Sequence, residues 1–143
     1  MKASKKKPLI GILMGSKSDA ETMAETEKIL KEHRIPYEIN VISAHRNPDK
    51  VREYAKSSRK KGLRVLICGA GMSAALAGVV SAYTDLPVIG VPMHTKSLGG
   101  LDSLLSTVQM PSGVPVATMA VGSAGAKNAA FFAIRILNIR GKA

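Results

Sequence analysis

Aromatic side chains are scarce: three Tyr, two Phe and no Trp in 143 residues. A core without large rings must be filled by Ala, Val, Leu, Ile and Met, and the small members allow helices to lie close to a sheet. The scarcity also argues against a binder of single-stranded nucleic acid. Such proteins interleave aromatics with basic residues, and between Lys50 and Arg64 only Tyr54 is aromatic. A single cysteine, Cys68, excludes an intrachain disulfide and fits a reducing compartment. Inside an apolar run it reads as a small buried hydrophobe. No apolar run reaches the roughly 18 residues that span a membrane. The apolar stretch after the basic start is too short for a secretory signal. A cytoplasmic protein with no membrane partner is expected. One cysteine, three histidines and no carboxylate cluster leave no ligand set, so no metal is expected.

What is present fits a single domain over residues 1–143. A chain of this size buries about 68–70% of its unfolded surface, enough for a real core. The net charge is +11, from 21 Lys and Arg against 10 Asp and Glu. Part of it is Lys2 and Lys5 to Lys7, read as a basic tail over residues 1–7. Part lies between Lys50 and Arg64, read first as a solvated helix face. Attraction of an anionic substrate or of nucleic acid is the functional alternative. No nucleic-acid-binding motif accompanies it, and none is expected as a partner.

Strand and helix patterns alternate along the chain. Strands are expected at 8–14, 36–42, 64–68, 86–91 and 114–121, each short, apolar and bounded by turn residues. Helices are expected at 18–34, 47–61, 74–82, 101–110 and 125–137. Ser18 with Glu21 three residues on suggests a capping box for the first. Asn47, Pro48 and Gly62 suggest the start and stop of the second. Five strands alternating with helices predict an α/β fold with a parallel, doubly wound sheet. Apolar strands without alternation predict a sheet covered on both faces. The expected architecture is a flavodoxin-like three-layer sandwich with a five-stranded parallel sheet. The helices at 74–82 and 125–137 are apolar nearly all round, and Phe131 and Phe132 fall off the main stripe of the latter. Another copy of the chain is the expected cover.

Three turns at strand ends carry the candidate chemistry. Gly15-Ser16-Lys17-Ser18-Asp19 follows the first strand, Ser43-Ala44-His45-Arg46-Asn47-Pro48 the second and Gly69-Ala70-Gly71 the third. In open α/β sheets ligands lie at the carboxyl ends of strands, where helix N-termini favour anions. The first turn lacks the Gly-Lys-Ser/Thr ending of a Walker loop, and the third lacks the spacing of a dinucleotide fingerprint. Taken together, hydroxyls, a carboxylate, a guanidinium and an imidazole could converge on one phosphorylated molecule. His45 reads either as a site residue or as a cap of the following helix. His33, among Lys31, Glu32 and Arg34, reads as solvated. His94, in the loop after Pro92, reads first as a solvated loop residue and second as a ligand contact.

These three turns together resemble the signature turns of the PurE family, the N5-carboxyaminoimidazole ribonucleotide mutases of purine biosynthesis. Later blocks agree: Leu86 to Pro92, Leu101 to Ser106, Val108 to Thr118 and Asn128 to Ala130. The resemblance runs from about Leu9 to about Leu137. It implies an isomerase acting on a small ribonucleotide without cofactor, in a homo-octamer whose sites form between subunits. It assigns Ser16, Ser18 and Arg46 to the phosphate end and Asp19 to the ribose hydroxyls. It assigns Ser43, Ala70 and Gly71 to the base and carboxylate, and His45 to proton transfer. Mutase-type members often read Gly-Ala-Gly-Gly-Ala-Ala-His-Leu-Pro-Gly in the third turn. Here Ala75 stands in place of that histidine and Ala77 in place of the proline. Arg46, where the branch that uses free carbon dioxide tends to carry Lys, points to the mutase branch. That carboxylase is the nearest alternative. A basic α/β module that binds a phosphorylated ligand without turnover is the alternative of another class.

Overall fold

The computed structural model describes residues 6–139, so the first five residues of the expected basic tail lie outside the described residues. Five strands form one parallel sheet: β1 (Ile10–Met14), β2 (Tyr37–Val41), β3 (Val65–Ala70), β4 (Val88–Pro92) and β5 (Ala117–Thr118). Their order is β2-β1-β3-β4-β5, with all four pairings parallel. This is the expected flavodoxin-like order. The helices are α1 (Ala20–Glu32), α2 (Pro48–Lys61), α3 (Leu76–Ala82), α4 (Leu101–Val108) and α5 (Ser123–Asn138). None is long and apolar enough to cross a membrane.

The central strands are buried because both faces are covered. On one face Ile10, Ile12, Val65, Ile67 and Ile89 pack with Met23, Ile29 and Leu30 of α1 and the alanines of α5. On the other, Leu13, Leu66, Cys68 and Val88 pack with Val51, Tyr54 and Ala55 of α2 and Leu76, Ala77 and Val80 of α3. Successive strand residues point to opposite faces, so continuous apolar runs serve two cores at once. Burial pushes the Cys68 thiol up, which keeps it protonated and inert.

Small residues set the helix spacing. Ala126, Ala129, Ala130 and Ala133 form a fully buried stripe on α5. It lets α1 approach closely enough for the Thr26 hydroxyl to donate to the Ala126 carbonyl at 2.7 Å. Gly125 must be glycine, because a Cβ there would overlap the Ala120 carbonyl.

Several element ends and caps differ from the sequence expectation. The first helix is preceded by a 3-10 turn, Lys17–Asp19, capped by Ser16 and Asp19 rather than by Ser18 and Glu21. Ser16 is extended and able to cap, whereas Ser18 is already inside the turn. Asn47 occupies the cap position of α2 but makes no side-chain capping bond; Pro48 and a left-handed Gly62 at φ 98° bound that helix as expected. The helix expected at 74–82 begins only at Leu76. The fifth strand shrinks to two residues. Pro115 has no N–H to donate, and one further bond, Met119 N to the Gly90 carbonyl at 2.9 Å, ends the pairing.

The open apolar surface also lies elsewhere than expected. Much of α3 is covered by its own chain: Leu76, Ala77 and Val80 are buried, and Ser81 donates to the Pro115 carbonyl. α4 is turned inside out. Ser103 and Thr107 are buried while Leu101, Leu105 and Val108 are exposed. The Ser103 hydroxyl donates to the Met93 carbonyl, and Thr107 donates to the Ser103 carbonyl at 2.7 Å. On α5, Phe131 and Phe132 are exposed as expected.

Candidate active site

Beyond the strand ends the loops are tied to one another by backbone hydrogen bonds. Gly15 N donates to the Gly69 carbonyl at 3.1 Å, Ile42 N to Met14 at 2.9 Å and Met93 N to Ala70 at 3.0 Å. The carboxyl ends of β2, β1, β3 and β4 therefore form a continuous floor. Above it lies a cavity of about 430 Å³. All eight residues singled out in the sequence line it: Ser16, Ser18, Asp19, Ser43, His45, Arg46, Ala70 and Gly71.

The turn after β1 is locked by its own side chains. Asp19, buried, accepts from Ser16 N at 3.1 Å, while Ser16 Oγ accepts from Ser18 N at 3.3 Å and from the Ser18 hydroxyl at 3.0 Å. Asp19 N donates to the Ser16 carbonyl at 3.1 Å. Amides that sequence reasoning left free for an anion are thus already engaged, and hydroxyls are the groups this turn offers. Burial raises the Asp19 carboxyl above its ordinary value, against the lowering effect of the Ser16 and Gly15 N–H groups.

The turn after β2 has a similar local scaffold. Arg46 N donates to Ser43 Oγ at 3.2 Å, and Asn47 N donates to the Ser43 carbonyl at 2.9 Å. Ser43 therefore shapes the loop that carries His45 and Arg46. Both of those side chains are exposed. An exposed imidazole and an exposed guanidinium thus follow one another at the cavity, and a guanidinium can grip a phosphate with two parallel hydrogen bonds.

The turn after β3 contributes backbone and strain. Met72 has a left-handed backbone, φ 54°, a conformation rarely adopted by side chains of this kind, and lies at the cavity with 67% of its surface exposed. Ala75, at the position where the family pattern has histidine, also lines the cavity.

The sequence reading missed one wall. His94, Thr95, Lys96 and Ser97, in the loop between β4 and α4, line the same cavity. His94 is exposed, as first expected, yet it sits where a ligand contact would be. The signal available was its place after a strand end, the same rule that selected the other three turns. His33 is exposed too, but its ring meets Phe131 edge-on at 5.8 Å and hydrogen-bonds the Ile29 carbonyl at 2.9 Å. Among the described residues no three His, Cys, Asp or Glu side chains cluster in a way that could hold a metal ion.

Comparison with known proteins bears on this site directly. The AIR carboxylase family model matches residues 9–143. An N5-carboxyaminoimidazole ribonucleotide mutase of Pyrococcus horikoshii is 57% identical over 134 residues, covering 94% of this chain and 75% of that one. The protein of the same name in Bacillus subtilis is 56% identical over 131 residues, covering 92% and 81%. The crystal structure of Treponema denticola PurE superposes with a TM-score of 0.82 at 32% identity, covering 93% of this chain and 82% of that one. The matched span contains every strand end that builds the cavity, and the chain belongs to the AIR carboxylase family, among enzymes of isomerase type.

Proposed function

We infer that the protein interconverts N5-carboxyaminoimidazole ribonucleotide and 4-carboxy-5-aminoimidazole ribonucleotide in purine biosynthesis. The observation that carries the reading is convergence: two separate turns deliver an imidazole, a guanidinium, a carboxylate and three serines to one cavity, and a third, Gly69-Ala70-Gly71, lends it Ala70 and Gly71. The names of the relatives supply the substrate.

The parts suit the chemistry. Arg46, Ser16 and Ser18 bind the 5′-phosphate, and Asp19 accepts from the ribose hydroxyls. Ser43, Ala70 and Gly71 face the base and its carboxylate. His45, as imidazolium, donates a proton to the exocyclic nitrogen of the carbamate. The nitrogen–carbon bond breaks and carbon dioxide is released within the cavity. The electron-rich ring carbon attacks it, forming the new carbon–carbon bond. Neutral His45 then removes the proton from that ring carbon and returns to imidazolium. One side chain serves both transfers, and no net proton is consumed. Holding carbon dioxide beside the ring replaces a bimolecular encounter by a local one. No step calls for a metal or an organic cofactor.

The enzyme works as a homo-oligomer in the cytoplasm. The exposed apolar stripe of α4 supports this, since a helix with buried hydroxyls and outward leucines is matched to a partner surface. Phe131 and Phe132 add to the argument. The octameric number and the sharing of sites come from the family resemblance. Light scattering tests it: the wild type should be an octamer, and Leu105→Glu should break the assembly. A monomeric, fully active wild type would refute it.

The reaction itself is tested with carbamate-labelled substrate and purified protein. Label should be retained in the carboxylated product in the presence of unlabelled bicarbonate. Loss of label, with turnover of the uncarboxylated ribotide, would make the protein a carboxylase. Tight binding without turnover would make it a binding module.

A further inference from the structure

The walls of the cavity carry their basic side chains at two separated places. Arg46 follows β2, and His94 and Lys96 follow β4. In the order β2-β1-β3-β4 these points of attachment are three strand spacings apart, roughly 14 Å at the usual spacing of parallel strands. The ends of β1 and β3 lie between them.

The loop that carries His94 and Lys96 is fixed by its own bonds. The Thr95 hydroxyl donates to Asp102 Oδ1 at 2.6 Å and accepts from Gly100 N at 3.0 Å. Gly99 N donates to the Thr95 carbonyl at 2.9 Å. The Asp102 carboxylate is thereby engaged by Thr95, which holds it below the ordinary carboxylate range. His94 and Lys96 are exposed, and among the described residues neither belongs to an ion pair. The same loop packs directly on the turn after β3. A Cβ placed on Gly71 would lie 3.3 Å from Met93 Cβ and 3.6 Å from Thr95 Cγ2. The two side chains therefore stand on a loop that borders the turn after β3, at the end of the cavity away from Arg46.

We propose that His94 and Lys96 form a second anion subsite that reads the carboxylate of the ribotide. The inference rests on the reaction proposed above and adds a specificity element to it. A ribotide with a phosphate at one end and a carboxylate at the other is gripped from both sides. Ring N–H and ammonium groups donate charge-assisted hydrogen bonds to the carboxylate oxygens. A ribotide without the carboxylate gains nothing from this wall.

Titration calorimetry on the full chain tests the subsite with two ligands of identical phosphate, 4-carboxy-5-aminoimidazole ribonucleotide and 5-aminoimidazole ribonucleotide. His94→Asn and Lys96→Gln should each weaken the carboxylated ligand about tenfold, the change expected for one charge-assisted hydrogen bond. Affinity for the uncarboxylated ligand and the thermal midpoint should not move. Lys96→Arg, which keeps the charge, should retain most of the discrimination. Equal losses for both ligands, or no loss for either, would overturn the subsite while leaving the reaction standing. A wild type that binds neither ribotide would instead bring down the reaction, and the subsite with it.

Discussion

The two ends of the sheet carry hollows of similar size and opposite character. At the carboxyl ends a cavity of about 430 Å³ is lined by serines, Asp19, Arg46 and two imidazoles. At the amino ends a depression of about 480 Å³ is lined by Leu9, Leu86, Pro87, Ile136 and Leu137, with Arg59 and Arg64 at its side. Volume does not separate them. The difference is in what the chain must do to build each. The carboxyl end uses a buried carboxylate, a left-handed Met72 and a loop pinned by Thr95. Such features reduce stability unless the surroundings hold them, and they gather where chemistry is done. Among the described residues, the amino end is ordinary apolar packing left partly open.

Substitutions at the two ends should therefore act on different observables. The largest effect is expected from His45→Asn, which should lower turnover by about 10²–10⁴-fold while ribotide affinity and thermal midpoint hold. Near-normal turnover would remove His45 from the mechanism. Arg46→Ala should come next. It should weaken ribotide binding about 10–100-fold through loss of the planar two-bond grip, with Arg46→Lys restoring only part of it. An unchanged Michaelis constant would mean that the phosphate sits elsewhere.

Asp19→Asn gives a smaller effect with an instructive sign. Burial raises the folded-state value of this carboxyl above its ordinary 3.8. Between those two values the folded protein holds a proton that the unfolded chain has lost. Stability attributable to Asp19 is thus greatest at low pH, falls as pH rises through the window, and stays at the lower level above it. The neutral amide still accepts a bond from Ser16 N. Its thermal midpoint at pH 7 should equal or exceed the wild type, with a flatter acid dependence, while ribotide affinity drops. A lower midpoint at pH 7 would show that the charge supports the fold. The smallest effect should come from the opposite rim. Arg64→Gln should leave turnover and ribotide affinity unchanged, and any loss of activity there would erase the contrast between the ends.

How far the sequence foretold this arrangement depends on the range of the forces involved. β1, β3 and β4 were legible because burial on both faces demands unbroken apolar runs, and their parallel order followed from alternation with helices. α2 was legible because Val51, Tyr54, Ala55 and Ser58 recur at helical spacing between Pro48 and Gly62. The residues of three site turns were also found, since each stands at a strand end. The fourth wall was read only in part: His94 stood second as a ligand contact, and Met93 and Thr95 of the same loop become neighbours of Gly71 only when β4 lies beside β3. The capping role of Ser16 was hidden because Ser18 offers the same local pattern two residues later. The open face of α4 was hidden for a related reason. Leu101, Leu105 and Val108 have the spacing of a core stripe, and only the bond of Ser103 to the Met93 carbonyl and the burial of Thr107 reveal that the helix faces the other way.

The self-capped turn after β1 has a consequence for how the empty protein behaves in deuterated water. The N–H groups of Ser16, Ser18 and Asp19 are bonded within the turn before any ligand arrives. Opening that turn means breaking a reciprocal set of bonds around Asp19, so these amides should exchange slowly in the free protein. A ribotide gripped through hydroxyls and a guanidinium adds little protection there. The signature of occupancy should fall instead on the loops whose amides carry no such reciprocal closure, with the turn after β1 silent even when its hydroxyls are engaged.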